Sequence, residues 1–153
     1  GIDDIAAMTI SLFADELDVK MIVPTWGNVS LAHTLQNTLD LENFLHTKVP
    51  VVKGANQPLV RPAISAASVH GETGIAGFEF EKANDDLLEP GLAATKMYEI
   101  IKNSPEKVTL LGVGPLTDFA LLFKQYPDVV ENVAEVYIMG GNIGHGNHSP
   151  LSA

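Results

Sequence analysis

The chain has 153 residues, of which 46% are apolar and 18% are charged, with 13 Gly, 9 Pro and no Cys. This composition is ordinary for a globular domain, and no apolar run approaches the roughly 20 residues of a membrane-spanning helix. The absence of Cys excludes disulfides and thiolate metal sites, and we expect a cytoplasmic protein. The formal net charge of -10 disfavours nucleic acid and anionic membranes as partners, leaving neutral small molecules and metal cations open.

Helical and strand-like segments alternate along the chain. Apolar spacing predicts helices over residues 4–14, 31–45, 92–102 and 115–123. Short apolar runs predict strands over residues 19–24, 49–52, 108–113 and 135–139. Continuous apolar strands separated by helices predict an α/β fold, with an open, mainly parallel sheet and helices on both faces. The polar stretch 54–89 is long for a connection, and we expect it to be either a functional loop or a disordered one.

In such a sheet, ligands bind at the carboxyl ends of the strands. This rule selects four places: residues 25–28, the loop after Val52, residues 113–115 and residues 139–141. The unusual residues of the chain cluster in the same places, which predicts a polar small-molecule site there.

Two adjacent carboxylates, Asp3 and Asp4, lie where the first helix begins. Asp is a favoured N-cap residue, and its charge suits the positive end of the helix dipole. A hard-cation site is the other interpretation, because calcium takes several carboxylate and carbonyl oxygens.

Glycines and histidines suggest two further sites that we disfavour. Gly112-Val113-Gly114 follows a strand and opens a helix, but Thr117 stands where a dinucleotide fingerprint has its third glycine. His145 and His148 lie among glycines at a spacing that does not favour a zinc pair.

Two asparagines and a loop histidine complete the candidates. Asn28 and Asn147 lie in Gly-Asn turns, where Asn either adopts turn geometry or offers an amide to sugar hydroxyls. His70 lies in the long loop, where a lone histidine is usually just exposed, but the glycines near it suggest a loop that folds closely over something.

An ordered set of motifs along the whole chain resembles the inosine-uridine-preferring nucleoside hydrolase family. The motifs are Gly1-Ile2-Asp3-Asp4, Gly27-Asn28-Val29-Ser30, Val69-His70-Gly71, Gly114-Pro115-Leu116-Thr117, Met139-Gly140-Gly141 and Gly146-Asn147. The resemblance implies hydrolysis of the N-glycosidic bond of ribonucleosides such as inosine or uridine. It also implies a calcium ion at the carboxyl edge of the sheet.

The same resemblance implies a role for individual residues. Asp4 would ligate calcium through its carboxylate, and Val113 through its backbone carbonyl. For the sugar, Asp3, Asn28 and Asn147 would bind ribose hydroxyls, and Met139 would pack in the sugar pocket. His70 would lie near the base.

Two motifs of the family are not in the chain. An Asp-x-Asp-Pro stretch would precede Gly1, so the aspartate expected as general base is missing, and no catalytic residue is assigned here. A Glu-Phe-Asn motif would follow Ala153. We therefore expect residues 1–153 to be the N-terminal part of a single nucleoside hydrolase domain, inactive and poorly folded alone. The family also implies a homodimer or homotetramer for the full-length protein.

Two other functions stay open. A nucleoside phosphorylase would use phosphate in place of water, but only Arg61 and Lys53 lie near the candidate loops to bind it. A non-catalytic protein that binds nucleoside or calcium is the other alternative, because a fold does not fix a function.

Overall fold

Helices and short parallel strands alternate in the computed structural model, which describes residues 1–64, 71–75 and 77–146. The helices are α1 (Ile2–Phe13), α2 (Leu31–Leu45), α3 (Ala93–Asn103) and α4 (Thr117–Gln125), followed by a 3₁₀ helix (Pro127–Asn132). The strands are β1 (Val51–Val52), β2 (Leu88–Glu89), β3 (Val108–Gly112) and β4 (Val133–Ile138). No helix in these ranges is long and apolar enough to cross a membrane.

All the described strand pairs are parallel. β1 pairs with β2, where Val51 lies opposite Leu88, and β3 pairs with β4, where Leu111 lies opposite Tyr137. Parallel neighbours need a crossover, and α4 and the 3₁₀ helix lie between the paired strands β3 and β4 in the chain, as expected for such a fold. The predicted α/β class with a parallel sheet is confirmed.

The core lies between the strands and the helices α3 and α4. Burying these apolar side chains is the main stabilising contribution. Its members are Val52, Ala93, Ala94, Met97, Ile101, Leu110, Leu122 and Val129. Because Val52 of β1 and Leu110 of β3 belong to the same cluster, the two strand pairs share one core.

The strand predicted over residues 19–24 is wrong in extent. Only Ile22 pairs there, through an isolated parallel bridge to Val51. Conversely, β2 lies inside the stretch predicted as one long loop, and its two residues are too few for a periodic pattern to reveal.

The long loop is fastened to α2 by buried polar groups. Asp40 is 5% exposed, and its carboxylate accepts hydrogen bonds from Ala83 N at 2.8 Å and Gln36 Nε2 at 2.7 Å. Earlier in the loop, an exposed hydrogen bond adds to this fastening, because Asn37 Nδ2 donates to Thr73 O at 2.8 Å. These bonds hold the described parts of the loop against the helix.

Candidate functional site

Three loops meet at the carboxyl ends of the strands. They are residues 25–27, which follow the Ile22 bridge, residues 54–55 after β1, and residues 114–118 after β3. We call this meeting point the loop junction. The Ile22 bridge to β1 is parallel, and so is the pair of β3 with β4. Hydrogen bonds between the loops bring the carboxyl ends of β1 and β3 together.

Ala55 connects the first two loops. Its carbonyl oxygen accepts a hydrogen bond from Trp26 N at 2.9 Å and another from Thr25 Oγ1 at 3.1 Å. The first loop is also tied to α2, because Thr34 Oγ1 donates to Thr25 O at 2.9 Å. The loop that carries Asn28 is therefore held from both sides.

Asp118 connects the second loop to the third. Its side chain lies in the first turn of α4 and is 6% exposed. Both carboxylate oxygens lie within hydrogen-bonding distance of Ala55 N, at 3.0 and 3.1 Å. Trp26 adds a direct link between the outer loops, because its Nε1 donates to Thr117 Oγ1 at 3.2 Å.

Glycine allows the loops to approach this closely. A Cβ added at Gly54 would lie 2.6 Å from Pro24 O and 2.7 Å from Asp118 Oδ2, too close for any side chain. At Gly27 and Gly114 an added Cβ would lie at ordinary contact distances, 3.4 Å from Pro115 Cδ and 3.5 Å from Thr25 Cγ2. The first and third loops thus pack side by side.

Three of the expected site residues lie at or beside the loop junction. Asn28 directly follows the first loop and is half-buried, and Val113 directly precedes the third. Met139 lies at the end of β4 with 58% of its surface exposed, and its N–H donates to Gly112 O at 2.8 Å. The structure therefore brings Asn28, Val113 and Met139 to one edge of the sheet.

The two expected aspartates lie in the first turn of α1. Asp3 is exposed, and the Asp4 side chain is 34% exposed. Asp4 Oδ2 accepts a hydrogen bond from the Gly1 ammonium at 2.7 Å. Within the described ranges, no three His, Asp or Glu side chains gather into a group that could hold a metal.

The remaining two expected residues, His70 and Asn147, lie outside the described residues. The turn that follows His70, over residues 71–74, lies within the described ranges. Gly74 N donates to Gly71 O at 3.1 Å, and Gly74 takes a φ of +81° while its backbone packs against the Val29 side chain. The long loop therefore returns at Gly74 to Val29, the residue next to Asn28.

Asp118 was not among the site residues predicted from the sequence. A carboxylate in the first turn of a helix is common, because it suits the helix dipole. The informative signal is its pairing with Gly54, whose missing side chain leaves room for the carboxylate, and this pairing spans 64 positions of the chain (118 − 54).

Comparison with known proteins gives one family. The profile described as "Inosine-uridine preferring nucleoside hydrolase" matches residues 1–153. The non-specific ribonucleoside hydrolase RihC of Klebsiella pneumoniae is 44% identical over 151 residues, which are 98% of this chain and 49% of that protein. The chain thus spans about half the length of the curated relatives it matches.

Solved structures agree with this match. A purine-preferring ribonucleoside hydrolase from Gardnerella vaginalis is similar at a TM-score of 0.89 and 25% identity, over 97% of this chain and 49% of that one. A plant nucleoside hydrolase, PpNRh1, is similar at a TM-score of 0.90 and 27% identity, over 99% of this chain and 49% of that one.

Proposed function

This chain belongs to the inosine-uridine preferring nucleoside hydrolase family, and on that premise we propose that it forms part of a hydrolase acting on ribonucleosides. The reaction is cleavage of the N-glycosidic bond by water, which gives free base and ribose. The observation that carries the proposal is the loop junction, beside which Asn28, Val113 and Met139 lie at one edge of the sheet.

Residues of this edge hold the sugar, together with Asp3 in the first turn of α1. The Asn28 amide binds a ribose hydroxyl, since an amide both donates and accepts hydrogen bonds. Met139 provides an apolar contact for the sugar, and its exposure leaves its side chain available. Asp3 accepts a hydrogen bond from a second hydroxyl. For two residues outside the described ranges, we propose that His70 lies near the base and that Asn147 binds a ribose hydroxyl.

The metal that we propose is calcium. The Asp4 carboxylate and the Val113 carbonyl are the oxygen donors that a hard cation takes, and they supply part of a shell of about six to eight ligands. Asp4 is accessible enough to ligate, with its side chain 34% exposed. A calcium ion held by Asp4 and Val113 would supply a positive charge for orienting water and the ribose diol. The general base is an aspartate expected to precede Gly1.

We also propose that residues 1–153 form the first part of a single domain. The whole protein is then a cytoplasmic homodimer or homotetramer with a nucleoside as its small-molecule partner. Relatives that are about twice as long as this chain support only the first of these points, that residues 1–153 are part of a longer domain.

The direct test is ribose release by the natural gene product that contains this chain. We expect free ribose from inosine and from uridine in phosphate-free buffer, and its loss when a calcium chelator is added. Residues 1–153 alone are expected to release none. Ribose 1-phosphate formed only when phosphate is present would contradict hydrolysis, and nucleoside binding without turnover would identify a binding protein.

A matched pair of substitutions tests the sugar contact. Asn28→Ala removes one hydrogen bond to ribose, so the KM for inosine should rise about tenfold. Asn43→Ala, at an exposed position of α2, should leave the KM unchanged. Equal KM values for both variants would remove Asn28 from the site.

A further inference from the structure

The buried carboxylate of Asp118 has no part in the chemistry proposed above. Burial of a carboxylate is costly unless hydrogen bonds compensate it. Here both oxygens face one backbone donor, Ala55 N, at 3.0 and 3.1 Å. A hydrogen bond to an ionised acceptor is stronger than one between neutral groups. Asp118 is therefore suited to fix the position of Ala55.

Ala55 in turn restrains the first loop, which Asn28 directly follows. The same residue that donates to Asp118 accepts, at its carbonyl oxygen, the hydrogen bonds of Trp26 N and Thr25 Oγ1. Asn28 is two positions beyond Trp26. A shift of Ala55 would therefore move the backbone that presents the Asn28 amide.

The fixed point for this restraint is α4. Leu122, one turn after Asp118, is fully buried in the core, so the helix is held firmly against the sheet. Val113, the proposed carbonyl ligand, lies in the connection from β3 to this helix. Through Ala55, Asp118 thus links the backbone before Asn28 to α4, the helix that follows Val113.

We propose that Asp118 is a positioning residue for ribose binding: through Ala55 it sets the place of the Asn28 loop relative to the end of β3. The proposal rests on the proposed function for the role of Asn28. It assigns no contact between Asp118 and substrate.

The kinetic test is Asp118→Ala in the natural gene product. The KM for inosine should rise about tenfold, with a smaller change in kcat, because uniform binding is lost. The preference for inosine over 2′-deoxyinosine should fall by a similar factor of about ten. Asp118→Asn keeps one acceptor for Ala55 N and should restore both values to within about threefold of the parent.

Asp128→Ala is the matched control, because Asp128 is an exposed acidic residue of the 3₁₀ helix, away from the loop junction. It should leave the KM and the sugar preference unchanged. If Asp118→Ala fails to fold, Asp118→Ser withdraws the carboxylate while keeping a small polar side chain, and the same changes are expected. A loss of kcat alone, with KM and sugar preference unaltered, would show a structural role only and overturn the proposal.

Hydrogen exchange separates this proposal from the proposed function. The Ala55 and Trp26 amides should exchange faster in Asp118→Ala than in the parent or in Asp128→Ala. If the parent releases no ribose but this exchange pattern is found, the hydrolase assignment fails while the restraint on the loop stands. Unchanged exchange in Asp118→Ala would overturn the positioning role whatever the activity.

Discussion

Glu42 shows how one buried side chain holds the end of a helix to a strand. The residue lies near the end of α2 and is fully buried. Its Oε2 accepts a hydrogen bond from Val49 N at 3.1 Å, and its backbone carbonyl accepts one from Thr47 N at 3.1 Å. The turn from α2 toward β1 is therefore organised by a single residue.

Removing that side chain should be destabilising. Glu42→Ala leaves Val49 N–H without its acceptor and opens a cavity, so the free energy of unfolding should fall by about 2–4 kcal/mol. Glu42→Gln retains an acceptor for Val49 N and the volume of the side chain, so the free energy of unfolding should fall by less than half as much as in Glu42→Ala. Urea unfolding of the natural gene product, followed by circular dichroism, measures both.

Glu99→Ala is the control for Glu42. The Glu99 side chain is 54% exposed and lies 3.8 Å from Lys96 Nζ, and exposed pairs contribute about 0–1 kcal/mol. For Glu42 itself, equal losses of unfolding free energy in Glu42→Ala and Glu42→Gln would show that its charge, and not its hydrogen bond to Val49 N, stabilises the fold.

Single residues were the least predictable part of the site. Asp3 and Asp4 could be selected because they lie where a predicted helix begins, and Asn28 and Met139 because they lie at the ends of predicted strands. The position of Asp118 depends on Ala55, 63 positions earlier in the chain. No local pattern encodes such a contact, so the sequence could not reveal it.

At the scale of elements, α3 is fastened to the 3₁₀ helix by a polar and aromatic contact. The rings of Tyr98 and Tyr126 stack with centroids 4.2 Å apart and planes 13° from parallel. Tyr98 Oη donates to Asp128 Oδ2 at 3.0 Å, and Lys102 Nζ lies 3.4 Å from the same oxygen. The contact joins the segments on either side of β3 and α4.

This contact should be visible in the titration of Asp128. The hydrogen bond from Tyr98 is the largest cause that holds the pKa of Asp128 below its ordinary value. Desolvation opposes it, and the hydrogen bond and charge of Lys102 add to the lowering. A carboxylate with a lowered pKa stabilises the folded protein above the ordinary Asp pKa of about 3.9. That stabilisation is lost as the pH falls through the lower, folded-state pKa.

Tyr98→Phe keeps the stacked ring but removes the donor. The pKa of Asp128, followed by carbon NMR of its carboxyl group, should rise toward the ordinary value. Tyr126→Phe removes the hydroxyl that contacts Thr95 Oγ1 at 2.9 Å and should leave the Asp128 titration in place. An unshifted Asp128 pKa in Tyr98→Phe would assign the lowering to Lys102 instead.

Elements differed in how well the sequence predicts them. The four helices were predicted to within about two residues, because each has several turns of apolar spacing. The two-residue strands β1 and β2 depend on pairing between distant segments, which is why residues 19–24 were over-predicted and β2 was missed.

At the scale of the whole molecule, β4 has little cover. It pairs with β3, and its residues 136–138 are between 44% and 57% exposed. Register places Val136 beside the buried Leu110, and Tyr137 beside Leu111 on the opposite face. Both faces of this apolar strand therefore contact solvent in the described chain, although parallel strands are normally covered on both.

Residues 1–153 alone should therefore self-associate through β4. Exposed apolar strands template intermolecular pairing, and a charge on such a strand opposes it. Tyr137→Lys should raise the concentration at which light scattering detects aggregates by several-fold, at least about threefold. Leu92→Lys changes a residue that is 69% exposed but precedes α3, and it should have little effect. If Tyr137→Lys and Leu92→Lys raised the aggregation concentration equally, the added charge itself, and not its place on β4, would control association.

The loop junction also contains the single tryptophan of this chain, Trp26. Its indole N–H reaches Thr117 Oγ1 across two loops, and its backbone N–H reaches Ala55 O. Any motion that separates the loops must alter the surroundings of the indole ring. The emission spectrum of Trp26 is consequently a built-in optical reporter of how the sheet edge closes, available without a label or a substrate analogue.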